Sequence, residues 1–552
     1  MTCKRLPFIV AAAFLLLCFG ATVLAGEAPT PGDDIPRESV TGGVRNVLTT
    51  LDWIVIVAYG VGMLAVGWYY WRQNQTSEDY LLGGRAMRPL AVGLSLFATL
   101  FSTISYLAWP GEMIKNGPMI LSMIVAYPFV ALVVGWFMIP YIMRLKITSA
   151  YELLETRLGL SVRMLGSTLF LLLRILWMAM IIYATVDTVL VPLIGMDSSA
   201  SPYVAIVLGV VTLVYTAMGG LKAVVVTDVL QGLILFAGAI VSIIMITIYL
   251  GGVTAWWPTG WAAHWTRPVF YDPNLRISFL SASLATFAWY IATSASDQMA
   301  IQRYLATRDA AAARRVLNTS LIANTLVFFL LAALGLALLA FFKQRSDLLA
   351  PGQSLVENAD QMFTRFIVVG LPSGLSGLVV AGLLAAAMSS LSAGINSSCS
   401  VITADFIDRF GLRRTDGADS RKVLLEQILS AGIGVLVLVL STFVGMVQGN
   451  LLDKTFKVVN LLPAPLFGLF FMAMFIPWAT GFGTWIGALA GLAVVVSINF
   501  WQFWHELFGL PEISFFWAMP VCIIVQAIVG PLASLLPIGK SGRKLEELVQ
   551  QS

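Results

Sequence analysis

Residues 381–405 hold the side chains in this sequence whose types and spacing are best suited to bind a ligand. The stretch, AGLLAAAMSSLSAGINSSCSVITAD, is apolar apart from one amide and a series of hydroxyls, and its only charge is Asp405. On a helix, Ala386, Ser389 and Ser390 would occupy positions i, i+3 and i+4 of one face. Hydroxyl oxygens that converge at membrane depth are ligands for a hard cation, because water does not compete there. Close helix packing through small residues is the alternative for each serine alone, and the cluster as a whole favours an ion.

The composition predicts an all-α polytopic membrane protein. Of 552 residues, 59% are hydrophobic and 11% are charged, whereas soluble proteins carry about 25% charged residues. The four cysteines are too scattered to form a disulfide framework or a metal site. His264 and His505 are the only histidines and fall in predicted loops, and the spans lack the paired acids or histidine clusters of a membrane enzyme.

The N-terminal residues 1–25 have the pattern of a secretory signal peptide. Lys4 and Arg5 precede a short apolar run, and Ala25 ends a small-residue cleavage site. An uncleaved first span is the alternative. Cleavage would place the polar segment 26–50 outside the membrane.

About thirteen apolar segments follow, each near the roughly 20 residues that cross a bilayer. They lie near residues 52–71, 89–110, 119–143, 164–194, 201–218, 223–250, 277–297, 318–342, 367–403, 424–448, 455–478, 482–502 and 512–536. With the N-terminus outside, the inner loops and tail hold 20 basic residues, among them Arg157, Arg163 and Arg303, against 7 in the outer loops. The positive-inside rule therefore predicts a multi-pass protein of the cell (inner) membrane with a cytoplasmic C-terminus.

Two spans are interrupted by polar residues. Segment 89–110 is rich in hydroxyls and ends in Trp109-Pro110-Gly111, which predicts a helix whose hydrogen-bond ladder opens. Segment 277–297 is polar in its second half. Two irregular helices separated by four regular ones indicate an inverted-repeat transporter with its binding site at the bilayer midplane.

Three charged residues lie in or beside spans. A basic residue at the bilayer centre costs about 2.5–3.5 kcal/mol, so Arg174 needs an ion-pair partner or an anion. Lys457 is near a span end and could snorkel to the interface instead. Asp228 could cap the start of its helix or draw a cation inward.

Five stretches of the sequence resemble the sodium/solute symporter family, in particular its iodide/monocarboxylate/multivitamin-like and sialic acid-like branches. The matching stretches are FATLFSTISYLAWPGE (97–112), TSAYELLETRLG (148–159), GGLKAVVVTDVLQ (219–231), DQMAIQRYLATRD (297–309) and SSLSAGINSSCSVITADF (389–406). The resemblance implies leucine-transporter-type inverted five-helix repeats. It would divide the mature chain into a first transmembrane helix (51–76), two repeats (77–250 and 251–478), two further helices (479–536) and a cytoplasmic tail (537–552).

The resemblance also implies a sodium site between the first and eighth core helices. Its ligands would be the carbonyls of Ala98, Phe101 and Ala386 and the hydroxyls of Ser389 and Ser390. Asp228 and Ser392 match the sodium release path or a second sodium site of the family. Ala393 departs from the hydroxyl that two-sodium members carry there.

The implied substrate residues differ from those of the sugar carriers. They are Ser105, Arg174, Tyr290, Thr293, Asn324 and Lys457. Arg174 matches an arginine that holds a carboxylate in sialic acid carriers, so the expected solute is a small organic anion.

The expected activity is sodium-coupled symport by alternating access, with sodium as the co-transported ion. A small-molecule substrate and the lipid bilayer are the expected partners, and no nucleic acid is expected. A sugar or amino acid symporter, a non-transporting membrane sensor and a passive channel are the alternatives.

Overall fold

Helices long and apolar enough to cross a membrane make up most of the structure. The computed structural model describes residues 48–74, 76–145, 147–349, 352–412, 419–444, 461–511 and 513–538. Several predictions fall outside these described residues. They are the signal peptide at residues 1–25, nearly all of the polar segment 26–50 and of the tail 537–552, and Lys457.

The regular structure of the described residues is helical. The helices are α1 (Thr50–Trp71), α2 (Ser77–Leu82), α3 (Pro89–Leu100), α4 (Thr103–Asn116), α5 (Pro118–Met143), α6 (Glu152–Leu158), α7 (Leu160–Thr185), α8 (Ser201–Leu250), α9 (Phe279–Ser296), α10 (Gln298–Leu305), α11 (Ala310–Gln344), α12 (Met362–Val369), α13 (Leu375–Val401), α14 (Asp419–Val444), α15 (Pro463–Phe475), α16 (Gly481–Asn499), α17 (Trp501–Phe508) and α18 (Ala518–Ala533). The prediction of an all-α, multi-pass membrane protein is confirmed. His505, which the sequence analysis places in a loop, lies on the exposed α17.

Among the described residues, nine helices pass a length and hydropathy test for crossing a membrane, and the bent pair α3–α4 would be a tenth. The 50-residue α8 is about 75 Å long at 1.5 Å per residue, more than twice the bilayer core. It is broken at Gly220, whose φ of 58° is in the left-handed region that glycine tolerates. The predicted total of thirteen spans stays a prediction. Helix α15, which falls in one of the predicted spans, has only 13 residues and does not pass the length test.

The first core helix is broken, but the break does not fall at its proline. Pro110 and Gly111 lie inside a continuous α4, whereas the ladder opens at Phe101 and Ser102, which have extended backbone angles. The axes of α3 and α4 are bent by 68° at this point. Proline removes one donor, which a helix can tolerate when its neighbours compensate, so the position of the break follows the packing around it.

The second irregular helix is also interrupted at its end rather than in its middle. Helix α9 is regular over its 18 residues and ends at Asp297, which has φ −88° and ψ 127°. Helix α10 starts at the next residue, and the Asp297 carboxylate accepts a hydrogen bond from the Met299 amide at 2.9 Å. Asp297 is therefore a corner between two helices and the N-cap of the second.

Helix α13 is the central element of the fold. Every residue from 376 to 401 is buried, because α1, α3, α4, α7, α8 and α14 pack around it. A helix that is enclosed on all sides must satisfy its polar side chains within the protein. Ser392 and Ser397 donate to carbonyls of α13 itself, whereas Ser389 and Ser390 reach carbonyls of another helix.

The first turn of α13 is held by a carboxylate from α1. Oδ1 of the buried Asp52 accepts hydrogen bonds from the amides of Gly374 and Gly377, both at 2.7 Å. A Cβ at Gly377 would lie 2.6 Å from the Asp52 backbone, so glycine permits this approach. The contact fixes α1 against the helix that carries the serines.

We expect Asp52→Ala to destabilise the protein by about 1.5–3 kcal/mol, because the variant leaves two buried amides without their charged acceptor. Asp52→Asn retains an acceptor oxygen and should have an intermediate effect. The measurement is the melting temperature of the purified protein in detergent. The exposed Glu357→Gln is the control, and an Asp52→Ala protein that melts with the parent would contradict the contact.

Candidate functional site

The break between α3 and α4 lies against the serine face of α13. Ser389 Oγ donates a hydrogen bond to the Ala98 carbonyl at 2.9 Å and lies 3.2 Å from the Ala386 carbonyl oxygen. Ser390 Oγ donates to the Thr99 carbonyl at 3.0 Å. The last turn of α3 and the middle of α13 therefore form one small cluster of oxygens.

This cluster contains four of the five oxygens expected from the resemblance. Ala98, Ala386, Ser389 and Ser390 come together, whereas no hydrogen bond in the described part of the chain joins the Phe101 carbonyl to either serine. Phe101 lies in the break, and its amide donates to the Phe97 carbonyl at 3.1 Å.

The structure adds one oxygen that the sequence did not predict, the Thr99 carbonyl, which accepts from Ser390. In the adjoining break, the buried hydroxyl of Ser102 has no hydrogen-bond partner among the described residues.

The cluster has the chemistry of an alkali-cation site. A carbonyl oxygen has two lone pairs, and a serine hydroxyl that donates its proton retains acceptor capacity. The hydrogen bonds between α3 and α13 therefore leave lone pairs for a cation. Neutral oxygens in a dry environment suit a hard monovalent ion.

A buried ion pair lies directly beside this cluster. Arg303 Nη2 donates to Asp228 Oδ2 at 2.9 Å, and both side chains are fully buried. Ser95 Oγ and Thr99 Oγ1 also donate to Oδ2, at 2.6 and 3.3 Å. Thr99 thus connects the two sites, because its hydroxyl bonds Asp228 and its carbonyl bonds Ser390.

This geometry corrects two predictions from the sequence. Asp228 lies inside α8 and is paired with an arginine, so it does not cap a helix start. Arg303, assigned to an inner loop, is buried on α10. Arg157 and Arg163, assigned to inner loops as well, are also buried.

Ser392 Oγ donates to the Ser389 carbonyl at 3.0 Å, one turn along α13 from the oxygen cluster. Asp228 Oδ1 has no hydrogen-bond partner among the described residues. Asp228 therefore has one carboxylate oxygen available to draw a cation inward, which is the alternative role considered for it.

A cavity of about 230 Å³ opens next to the break. Five of the six residues predicted to bind the substrate line it, and the sixth, Lys457, is outside the described residues. The five are Ser105, Arg174, Tyr290, Thr293 and Asn324. Thr293 and Asn324 donate to carbonyls of their own helices at 2.9 Å. Most of the wall is apolar or aromatic, as is typical of small-molecule sites.

Arg174 forms the charged floor of this cavity. It is buried, forms an ion pair with Asp297 and lies 6.0 Å from the centre of the Phe170 ring. Its Nε has no hydrogen-bond partner among the described residues. The expectation of a partner for this intramembrane arginine is met, and the guanidinium still has a donor for an anion.

Several cavity residues were not predicted from the sequence. Tyr127 donates a hydrogen bond to the Tyr290 hydroxyl at 3.3 Å, and the Trp109 and Phe328 rings are 4.3 Å apart. Glu112 and Arg276 line the cavity as an ion pair, and Phe515, Phe516 and Met519 come from the last span. Glu112 lies in the family-like stretch 97–112, which could have identified it.

A second charged network joins α6, α7 and the helical turn after α13. Arg163 donates to Asp405 through Nε at 2.9 Å and to Glu155 through Nη1 at 2.7 Å. Ser149 Oγ and Ser167 Oγ each donate to Asp405 at 2.7 Å. Arg163 precedes Arg174 on α7 by about 11 residues, or roughly 16 Å of helix.

Glu155 completes this network from α6. Arg409 donates to both of its carboxylate oxygens at 2.6–3.0 Å. The hydrogen bonds from Arg409 and then Arg163 lower the pKa of Glu155. Glu155 therefore remains charged at neutral pH, and the network weakens only when the pH falls through that lowered pKa. The network therefore cross-links α6 and α7 to the chain after α13.

The fold and these sites together define a helical membrane transporter. A family model for the Sodium:solute symporter family matches residues 80–491, and the chain belongs to this family. Sodium is accordingly its co-transported ion. Family and relatives are transporters rather than enzymes.

Individual relatives agree with this assignment. The sodium/sialic acid symporter SiaT of Proteus mirabilis is 32% identical over 82% of this chain and 90% of its own. The sodium-dependent multivitamin transporter of Oryctolagus cuniculus is 28% identical over 87% and 74%. A solved structure described as the substrate-bound outward-open state of a Na+-coupled sialic acid symporter has a TM-score of 0.77, with 26% identity, and covers 90% of this chain and 99% of that one.

The contribution of the buried Asp228–Arg303 ion pair to the stability of the protein can be tested by mutation. Removing one partner of a buried ion pair costs about 3–5 kcal/mol, whereas replacing both by apolar residues is often neutral. We expect Asp228→Leu and Arg303→Met each to lower the melting temperature strongly, and the double variant to melt above both.

The measurement is a double-mutant cycle on melting temperature and monodisperse yield. A double variant that loses the sum of the single effects would show that the two charges do not depend on each other.

Proposed function

We propose that this chain imports a small organic carboxylate together with sodium, by alternating access. The observation that carries the proposal is the contact of Ser389 and Ser390 with the carbonyls of Ala98 and Thr99, beside a cavity with an arginine floor. One ligand site is a set of neutral oxygens, and the other is a cationic pocket. The pair suits a monovalent cation and an anion.

The proposed sodium ligands are the carbonyls of Ala98, Phe101 and Ala386 and the hydroxyls of Ser389 and Ser390. Support comes from the hydrogen bonds that join α3 to α13 and from the break that leaves carbonyls of α3 without helical donors. Sodium would hold the unwound segment against α13. Asp228 and Ser392 are proposed to guide the ion or to bind a second one.

The proposed substrate residues are Ser105, Arg174, Tyr290, Thr293, Asn324 and Lys457. Arg174 supports a carboxylate, because its guanidinium presents several donors in a planar fork. The likeness to SiaT favours a sialic acid or an acid of similar size. A sugar or amino acid symporter is the alternative, and a neutral sugar is less favoured because it offers no negative charge to Arg174 in the cavity wall.

The proposed topology has thirteen membrane spans after a cleaved signal peptide at residues 1–25, with the N-terminus outside and the C-terminus in the cytoplasm. The inverted repeats would be residues 77–250 and 251–478. The 20-to-7 excess of basic residues and the breaks at Phe101 and Asp297 support this arrangement. The cross-linked side with Arg163 and Asp405 would then face the cytoplasm.

Coupling follows from binding energy that differs between states. One sodium charge that moves down the membrane potential releases about 2.3 kcal/mol per 100 mV. This energy concentrates a solute only when both ligands stabilise the same conformation. The shared position of the break, next to both the oxygen cluster and the cavity, is how we propose the two ligands cooperate.

We expect Ser390→Ala to weaken sodium binding roughly tenfold, which corresponds to about 1.4 kcal/mol, because one ligand oxygen is removed. The measurement is the sodium dependence of the melting temperature of purified protein, with potassium as the reference ion. Ser397→Ala is the matched control, since that hydroxyl donates to carbonyls of its own helix. An unchanged sodium dependence in Ser390→Ala would remove the site assignment.

We expect Arg174→Lys to weaken binding of the carboxylate roughly tenfold, because lysine retains the charge opposite Asp297 but loses the planar fork. The measurement is thermal stabilisation in sodium by sialic acid, short carboxylates, neutral sugars and amino acids. Arg144→Gln, on the surface outside the cavity, is the control. Stabilisation by neutral sugars that is unaffected in Arg174→Lys would contradict an anion pocket.

A further inference from the structure

The cavity has a second arginine, at its solvent end. Arg276 Nη1 and Nη2 donate to Glu112 Oε1 and Oε2 at 2.5 and 3.0 Å. The Arg276 side chain is 41% exposed, whereas that of Arg174 is 7% exposed. The cavity therefore runs from a buried guanidinium at its floor to an accessible one at its mouth.

We propose that Arg276 is an anion-capturing residue at the mouth of the cavity and that Glu112 competes with the incoming anion for it. This inference deepens the proposed function and rests on it, since it assigns a selectivity role on the path to Arg174. Neither residue belongs to the sodium site or to the predicted substrate set.

The position of Glu112 supports a role at the entrance. Ser105, Ala108, Trp109 and Glu112 all line the cavity and follow one another on one face of α4. Glu112 lies two turns beyond Ser105, at the end where the cavity meets solvent. Asn116 donates to Glu112 Oε1 at 2.8 Å, which fixes the position of the carboxylate.

The segment that carries Arg276 is held by the chain just before α18, which lies outside the two predicted repeats. Ser514 Oγ donates to the Arg276 carbonyl at 2.6 Å, and the Ser514 amide donates to the Pro273 carbonyl at 3.1 Å. The next residues, Phe515 and Phe516, line the cavity. The chain before α18 therefore fixes the backbone of Arg276 while its side chain faces the entrance.

The exposure of Arg276 allows an exchange of partners. Arg276 is the exposed member of this pair and can reach a carboxylate in solution, while Glu112 keeps its hydrogen bond from Asn116 when Arg276 changes partner. The same guanidinium fork that binds Glu112 through two oxygens fits a second carboxylate. Asp360 and Lys115 also lie near this pair and have charges opposite to each other. Neutralising either Arg276 or Glu112 therefore shifts the net charge of the entrance by one unit.

The test measures the charge preference of the entrance without a transported solute. Ala108→Cys places a thiol in the cavity, one turn below Glu112, and Ala285→Cys places one on the opposite wall. Each is reacted with an anionic sulfonate and a cationic trimethylammonium methanethiosulfonate. The parent chain provides the background, with Cys399 and Cys522 buried.

In both cysteine backgrounds we expect Arg276→Gln to lower the anion-to-cation rate ratio at least fivefold and Glu112→Gln to raise it. Arg345→Gln, a surface arginine paired with Asp347 and outside the cavity lining, should leave the ratio unchanged. Ratios within twofold of the parent in both variants would overturn the proposal. So would thiols that react with neither reagent, because the cavity would then not be reached through this entrance.

A second arm connects the inference to transport. In proteoliposomes with a sodium gradient, Arg276→Gln should raise the KM for sialic acid or a short carboxylate at least fivefold, with kcat changed less. Absence of sodium-driven uptake of every tested anion by the parent would defeat the proposed function. The reagent ratios would still decide the role of Arg276.

Discussion

The structure depends on one constraint, which is that a serine-rich helix is buried on all sides within a membrane protein. The hydroxyls of α13 cannot reach water, so they must bond to carbonyls of their own helix, to neighbouring helices or to a ligand. Ser389 and Ser390 satisfy this need with carbonyls of Ala98 and Thr99. Those carbonyls are available because the helical ladder ends at Phe101. An unwound segment and a polar helix face therefore compensate each other and leave lone pairs for a cation.

Buried charges form the framework around this contact. Asp228 and Arg303 connect α8 to α10, Arg174 and Asp297 connect α7 to the corner between α9 and α10, and Arg163 and Asp405 connect α7 to the helical turn after α13. Such pairs rarely add much stability over apolar packing, but a lone member is costly. Each pair therefore fixes which helices are neighbours. Thr99 bonds both Asp228 and Ser390, so the framework meets the oxygen cluster at one residue.

Composition and motifs predicted the class and family, because hydropathy and short polar stretches are local properties of the chain. Five residues that line the cavity were also predicted, and Lys457 stays untested. The opening of the first core helix was predicted without a position, since Pro110 marks a helix irregularity but packing decides where the backbone unwinds. Arg303 was assigned to a loop, because a single sequence does not show which charge meets Asp228. Arg276 was missed for the same reason, as it comes together with Glu112 only in the folded chain.

The central claim is that sodium binds where α3 breaks against α13. The most direct test is an experimental density map of the purified protein in saturating sodium chloride, compared with one in potassium chloride. The account predicts sodium-dependent density within about 2.3–2.6 Å, the range of hard-cation–oxygen distances, of the Ala98 carbonyl and the hydroxyls of Ser389 and Ser390. A map in which the ion occupies another position, while these oxygens bond only to one another, would contradict it.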